Sequence, residues 1–170
     1  MTEVTASVLS LAGFALAEAV RRVCDAGAGI ALTAFTMADR AGERVLTEHG
    51  SGTTAEIAQR ARLDGDRMSA TGDEWAFAPD VVMPDDGEAA GDRAAIIVDF
   101  QAPGMIAPAS IVQRYERATS NMRARLRGLP SIGSYDDALD PDQQDLVLQR
   151  VESGVRDHPS SERLWRYWEA

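Results

Sequence analysis

Lysine is absent from this sequence of 170 residues, in which all 17 basic residues are arginine. Without lysine the chain cannot form a Schiff base, and it cannot carry the phosphate-binding loop that ends in Gly-Lys-Ser/Thr. This excludes aldolase-like, pyridoxal-dependent and P-loop nucleotide enzymes. Because arginine keeps its charge in any environment, none of these bases can act as a neutral nucleophile.

Cysteine and histidine are scarce as well. The single cysteine, Cys24, cannot form an internal disulfide or supply the thiolates of a zinc site, and we expect a buried, inert thiol. The two histidines, His49 and His158, stand apart from each other, and no Gly-x-Ser-x-Gly elbow accompanies them. Each is interpreted as a structural or surface residue. We predict no catalytic residue, no metal site and no cofactor.

An uncharged run near the N-terminus is too short to cross a membrane. It extends from Val4 to Ala17 and follows Glu3, whereas export signals begin with positive charge. A bilayer requires about 20 apolar residues, and a run of this length is typical of a buried core helix. We therefore expect a cytoplasmic protein that does not bind membranes.

Acidic residues outnumber basic residues in this chain, and they are concentrated in particular segments. The net charge is −10, yet residues 73–92 contain seven acidic residues and no arginine, whereas residues 93–135 contain six arginines and two acidic residues. Residues 136–157 are acidic again. This alternation indicates pairing between segments or between protomers.

The basic segment could be read as a nucleic-acid site, because Tyr115 lies among five arginines: Arg114, Arg117, Arg123, Arg125 and Arg127. A domain with a net charge of −10 repels nucleic acid at long range, so neutralisation by the acidic segments is the favoured interpretation. No nucleic-acid partner is predicted.

A cluster of carboxylates could attract a hard metal ion. Four of them share one connection, at Asp85, Asp86, Glu88 and Asp92, but their spacing does not match a calcium loop. A solvated loop is the favoured interpretation.

The pattern of apolar residues predicts one α+β domain over residues 1–170. Its antiparallel sheet has about five strands with helices packed on it, in the order α-β-β-α-β-β-β-α-α. The helix and sheet core is assigned to residues 1–118, and the C-terminal helical segment to residues 136–170. Roadblock-type and profilin-like domains share a similar order of elements, although no motif of either family is present.

Capping signals define the predicted helices. The first helix begins near Thr2 or Thr5 and ends at about Cys24, and its wide apolar face predicts contacts on two sides. Thr53 with Glu56 forms a capping box for the second helix, and Asp140-Pro141-Asp142-Gln143 starts the third. Gly65 is expected to end or bend the second helix before Met68, and the glycine- and proline-rich stretch around residues 128–135 is predicted to be a loop.

Asp99 interrupts the most strand-like segment, at residues 94–100, where a carboxylate is costly unless it is paired or faces water. A solvent-facing position and an ion pair with Arg114 on the neighbouring strand are both compatible with the sequence. Asp99 and Arg114 are the candidate ligand-binding residues, in a pocket between the sheet and the N-terminal helix.

The C-terminal segment concentrates aromatic residues. Leu164, Trp165 and Trp168 belong either to a helix that folds back on its own core or to an interface, because indole rings dominate both environments. These three residues, with Arg123, Arg125 and Arg127, are the interface candidates.

Two classes of function remain. The favoured one is a non-enzymatic protein-protein interaction or regulatory module, of which an inhibitor-like or immunity-like protein is one form. Its partner is another protein or a second copy in a homodimer. The alternative is a small-molecule binding module, or an unassigned enzyme, with its pocket between the sheet and the N-terminal helix.

Overall fold

The computed structural model describes residues 3–27, 33–40, 42–50, 52–82, 93–135 and 139–169. These residues form four helices and seven strands. The helices are α1 (Glu3–Asp25), α2 (Thr54–Thr71), α3 (Pro141–Arg156) and α4 (Ser161–Glu169). The strands are β1 (Phe35–Arg40), β2 (Glu43–Glu48), β3 (Glu74–Ala78), β4 (Asp80–Val82), β5 (Arg93–Gln101), β6 (Ala109–Glu116) and β7 (Arg125–Ser134).

The strands form one antiparallel sheet in the order β2-β1-β3-β5-β6-β7, and β4 pairs with β5 beyond the end of β3. The predicted α+β class with an antiparallel sheet is confirmed, and β5 has the central position that its β-branched residues favour. The edges are β2 and β7.

Two strands were not predicted. Strand β3 ends before Pro79, but the chain resumes pairing as β4, where Asp80 lies opposite Ile96. The stretch around residues 128–135, predicted to be a loop, forms most of β7, so the sheet does not end at residue 118. Pro130 is tolerated there because an edge strand does not need every amide hydrogen for its ladder.

Helix α1 packs along one face of the sheet. Its apolar side is fully buried, with Leu9 and Leu16 among the residues of no exposed surface, and it joins Ile96, Val98 and Phe100 of β5 in the main core. Among the described residues, no helix is long and apolar enough to cross a membrane. The second contact of α1 is with helix α3, as the width of its apolar face indicated.

The crossing of α1 and α3 is a backbone contact. A Cβ atom at Gly13 would overlap the carbonyl oxygen of Val151, and one at Gly154 would overlap the carbonyl oxygen of Ser10. Only glycine fits at these two positions. The apolar face of α3, formed by Val147, Val151 and Val155, is thereby held against α1.

Helix α2 covers part of the opposite face, over β1 and β3. Thr53 and Glu56 form the predicted capping box. Gly65 does not end this helix before Met68, which was one of the two alternatives that the sequence left open, because α2 continues to Thr71. A Cβ atom at Gly65 would stand 3.0 Å from the Trp75 ring, so this glycine leaves room for an indole.

The C-terminal helices begin as their sequences predict. Asp140 caps α3 in a box with Gln143, and Pro141 occupies the first turn. The helix ends before His158 and Pro159, and α4 begins at Ser161.

We predict that Gly154→Ala destabilises the protein, although alanine is ordinarily the better helix former by about 1 kcal/mol. The new methyl group collides with the Ser10 carbonyl, so the two helices must separate, at a cost of about 1–3 kcal/mol. Urea denaturation monitored by circular dichroism measures the change. The control is Ser153→Ala, at the exposed neighbouring position, which should be neutral or slightly stabilising. Equal effects of the two substitutions would contradict the close crossing.

Candidate functional site

Strand β7 bulges away from β6 opposite Gln113. Three residues of β7, 128–130, stand where a regular ladder would have one. Gly128 adopts a left-handed conformation with φ of 66°, which glycine allows without strain. Bulges at sheet edges redirect side chains. In this bulge Leu129 is 72% exposed.

The side chain of Gln113 holds the bulge and the last helix together. It is fully buried. Its amide nitrogen donates to the carbonyl oxygens of Arg114, at 2.8 Å, and Gly128, at 3.1 Å. Its amide oxygen accepts a hydrogen bond from the indole N–H of Trp168 at 2.8 Å. The position of α4 therefore depends on an amide in β6.

A groove runs beside β7, between this strand and helices α3 and α4. It consists of two adjoining clefts of about 330 and 340 Å³ that share Pro130 and Leu148. The residues of the first cleft are mostly apolar and include Leu129, Pro130, Leu148, Val151, Val155, Trp165 and Trp168. The second continues along β7 to Tyr135 and Leu139.

Strand β7 and helix α3, which form two sides of this groove, run in opposite directions along it. Val155, near the end of α3, lines the groove with Leu129, whereas Gln144, near its beginning, lines it with residues 131–135 of β7. The acidic beginning of α3 therefore lies beside the C-terminal half of β7.

The border of the groove on α3 is acidic. Asp145 and Glu152 line the first cleft, and none of the residues that line either cleft is an arginine. Glu152 accepts a hydrogen bond from Arg156 at 2.6 Å, and the Arg156 guanidinium lies 5.4 Å from the ring centre of Trp165. Asp145 is exposed.

Of the three interface candidates in α4, one is not at the surface. Leu164 has no exposed area and packs in the chain's own core, which removes it from the candidate interface. Trp165 and Trp168 are half-buried, with ring centres 5.4 Å apart, and both line the groove. The helix folds back on its own chain and still presents indole surface.

The arginine candidates are dispersed rather than aligned. Arg125 is exposed at the start of β7. Arg127 donates to the carboxylate of Glu116 on β6. Arg123 precedes β7 and lines a separate cleft.

Asp99 and Arg114 do not form the predicted site. Asp99 lies opposite Ser110 on β6, whereas Arg114 lies opposite Ala95, four residues before Asp99 in β5. Both belong to the sheet face opposite α1, because Val98 and Phe100 point toward that helix. A pocket between the sheet and the N-terminal helix cannot contain them. Asp99 is half-buried, and burial raises the pKa of its carboxyl group.

Both histidines are buried, and each is hydrogen-bonded to another side chain. His49 is buried at the end of β2, where its Nε2 atom is hydrogen-bonded to the hydroxyl of Thr36 and its Nδ1 atom lies 3.8 Å from the carboxylate of Asp64 on α2. Phe77 contacts the ring edge-on. The backbone carbonyl of His49 accepts a hydrogen bond from Arg60 at 2.7 Å.

This hydroxyl, imidazole and carboxylate follow the order of a nucleophilic triad. Thr36, however, has no exposed surface, so no substrate can reach its hydroxyl group. The arrangement ties α2 to the sheet. Burial lowers the pKa of His49, against the opposing effect of nearby Asp64, and Arg60 lowers it further.

The second histidine connects the C-terminal segment to helix α1. His158, in the turn between α3 and α4, lies with its Nε2 atom 3.2 Å from the carboxylate of Glu18 on α1. Burial alone would raise the pKa of Glu18, but hydrogen bonds from Arg21, His158 and Arg22 outweigh it and hold the pKa below its usual range. The C-terminal segment is thus fastened to α1 by this hydrogen bond as well as by apolar packing.

A polar cleft of about 530 Å³ lies at the end of α1, where Asp25 meets the β6–β7 connection and Arg163 of α4. Arg163 is already paired with Asp25 at 2.9 Å. Burial raises the pKa of the Cys24 thiol to about 11, so this cysteine is protonated at neutral pH, as an inert thiol should be.

No group of three or more potential metal ligands occurs among the described residues. The carboxylates at Asp85, Asp86, Glu88 and Asp92 lie outside the part of the chain that the structure describes.

Comparison with protein-family models, with curated protein sequences and with solved structures gives no match in any of the three. The similar order of elements in roadblock-type and profilin-like domains is therefore not accompanied by a structural match.

We predict that His49 makes stability depend on pH. Because the pKa of His49 is lowered in the folded state, the unfolded chain takes up the proton first, near pH 6.5. The contribution is complete above that pH and is lost as the pH falls below it. Urea denaturation at pH 5 to 8 should show a shallower loss for His49→Asn than for the wild type, and parallel profiles would contradict the assignment.

We predict that Trp168→Phe destabilises the protein by about 1–3 kcal/mol, because it leaves the buried amide oxygen of Gln113 without its donor. Trp165→Phe is the matched control, since it removes a similar area without that hydrogen bond. Thermal denaturation of both variants measures the difference. A larger loss in the Trp165 variant would contradict the role of Gln113.

Proposed function

We propose that this chain is a protein-binding module whose groove beside β7 accepts an apolar side chain flanked by basic residues. The observation that carries the proposal is the combination, in one groove, of two half-buried tryptophans with an acidic border. Trp165 and Trp168 supply the kind of indole surface that dominates interface energetics.

The apolar part of the groove defines one half of the ligand. Leu148, Val151 and Val155 of α3 and Leu129 of the bulge surround the indole rings. Burial of one leucine or valine side chain in such a site contributes about 1.5–3 kcal/mol. An aliphatic side chain is therefore the expected anchor.

The acidic border of the groove indicates the charge of the ligand residues beside the anchor. Asp145 and Glu152 line the groove, and although Glu152 is paired with Arg156, Asp145 is exposed and the net charge of the chain is −10. Complementary charge accelerates the association of a basic ligand with the groove and disfavours the binding of acidic competitors. The groove therefore favours cationic neighbours on either side of the anchor, as a basic protein partner of an inhibitor-like or immunity-like module would offer.

The free edge of β7 favours an extended ligand. Within the described chain β7 pairs only with β6, and it borders the groove along its length. An edge strand presents unpaired amide and carbonyl groups that a peptide segment can use.

The alternative, a small-molecule pocket between the sheet and the N-terminal helix, is not favoured. The residues of α1 that face the sheet have no exposed surface, and Asp99 and Arg114 lie on the other face.

The test uses a synthetic peptide in which leucine alternates with arginine, with glutamate in place of arginine as the control peptide. We expect the basic peptide to change the tryptophan fluorescence saturably and the acidic peptide to have no effect. Trp165→Phe should diminish the signal, because this indole lines the groove.

Two substitutions test whether the basic peptide binds in the groove. Leu129→Glu should raise the Kd of the basic peptide by about tenfold or more, which corresponds to about 1.4 kcal/mol. Leu63→Glu is the matched control, on an exposed leucine of α2. Equal binding of the two peptides, or equal effects of the two substitutions, would refute the proposal.

A further inference from the structure

A cation of the chain itself is bound at the border of the groove. The guanidinium group of Arg156, in the last turn of α3, lies over the ring of Trp165 on α4, 5.4 Å from its centre. Its Nη2 and Nε atoms both donate to one carboxylate oxygen of Glu152, at 2.6 and 3.2 Å. Arg156 is not among the residues that line the groove, but both of its partners are.

These two partners suit a guanidinium group. The face of an indole ring attracts a cation that lies within about 6 Å of the ring centre. A carboxylate accepts charge-assisted hydrogen bonds from such a group, and these are stronger than hydrogen bonds between neutral groups. Trp165 and Glu152 together therefore form a cation subsite at the edge of the apolar cleft.

The cation subsite can lose Arg156 without losing its shape. The side chain of Arg156 is 66% exposed and that of Glu152 is 41% exposed. Exposed ion pairs between residues four positions apart in a helix contribute little to stability. Trp165, in contrast, packs against the main core and lies beside Trp168, which Gln113 holds by a hydrogen bond. The indole surface therefore does not depend on Arg156.

The cation subsite adjoins the place proposed for the aliphatic anchor. Glu152 and Trp165 line the same cleft as Leu129, Val151 and Val155. A ligand that inserts an aliphatic side chain into this cleft brings its neighbouring basic residues to the edge where Arg156 is bound.

We infer that the groove binds an arginine side chain of its ligand beside the aliphatic anchor, and that this arginine replaces Arg156 on Trp165 and Glu152. The inference rests on the proposed function, because it names a second residue that the same groove recognises. Arg156 is then an internal competitor, and the ligand gains only the difference between its own contact and the one that it displaces.

Arginine is expected at this position rather than lysine. A guanidinium group is planar, stacks on aromatic rings and presents several N–H donors in fixed directions, whereas an ammonium group is compact and strongly hydrated. Arg156 uses two of these donors on one oxygen of Glu152. A peptide in which leucine alternates with lysine should therefore bind more weakly than the peptide in which leucine alternates with arginine.

Removal of the competitor tests this arrangement. In Arg156→Gln the cation subsite is empty, so the leucine–arginine peptide should bind about two- to fivefold more tightly than to the wild type, the range of one exposed cation–π contact. Isothermal titration calorimetry measures the Kd. The matched control is Arg150→Gln, which removes the same charge from an exposed position of α3 that does not line the groove. It should leave the Kd nearly unchanged.

A second background separates competition from simple repulsion of the basic peptide. Glu152→Gln removes the carboxylate that would hold either arginine. If Arg156 competes for this carboxylate, the addition of Arg156→Gln to Glu152→Gln should no longer tighten binding. A gain as large as in the wild-type background would show repulsion alone and would refute the competition. Far-ultraviolet circular dichroism checks that each variant is folded.

An unchanged Kd in Arg156→Gln would overturn the inference, as would equal affinity of this variant for the arginine and lysine peptides. The proposed function has its own readout, which is the preference of the wild type for the basic over the acidic peptide. If that preference is found without a gain in Arg156→Gln, only the cation subsite is lost. If neither protein binds the basic peptide, both are lost.

Discussion

The hydrogen bonds of the Gln113 amide are the constraint on which this architecture depends. A buried amide without partners is costly, so its nitrogen and oxygen must both be satisfied. The nitrogen is satisfied by backbone carbonyls, one of which the bulge of β7 supplies, and the oxygen by the indole of Trp168. The edge strand and the terminal helix are therefore positioned by the same side chain, and the groove between them follows from both.

Features that depend on neighbours in sequence were predicted well. The capping boxes at Thr53 and Asp140 were identified because all of their hydrogen bonds join residues within four positions. Features that depend on distant partners were not. Gly65 looks like a helix end until Trp75 is known to pack on it, and the glycines and Pro130 of β7 look like a loop until β6 supplies the ladder.

The candidate site was predicted only in part, for the same reason. The tryptophans and arginines were recognised by residue type, but which of them share a surface depends on how α4 folds back. For Leu164 the sequence allowed both a core and an interface position, and it lies in the core. Each histidine found its partner at long range, His49 with Thr36 and His158 with Glu18, the latter 140 residues away in the chain. Segregated charge was visible in the sequence, whereas the faces of the fold on which the charged residues lie were not.

The glycine crossing of α1 and α3 bears on recognition as well as on stability. The two helices meet backbone to backbone at Gly13 and Gly154. The distance between them is therefore set by backbone atoms, which cannot move aside by a change of rotamer as side chains can. Helix α3 also forms a wall of the groove, so the position of this wall is set before any ligand binds. A preorganised wall loses little conformational entropy on binding, and more of the contact energy remains as affinity.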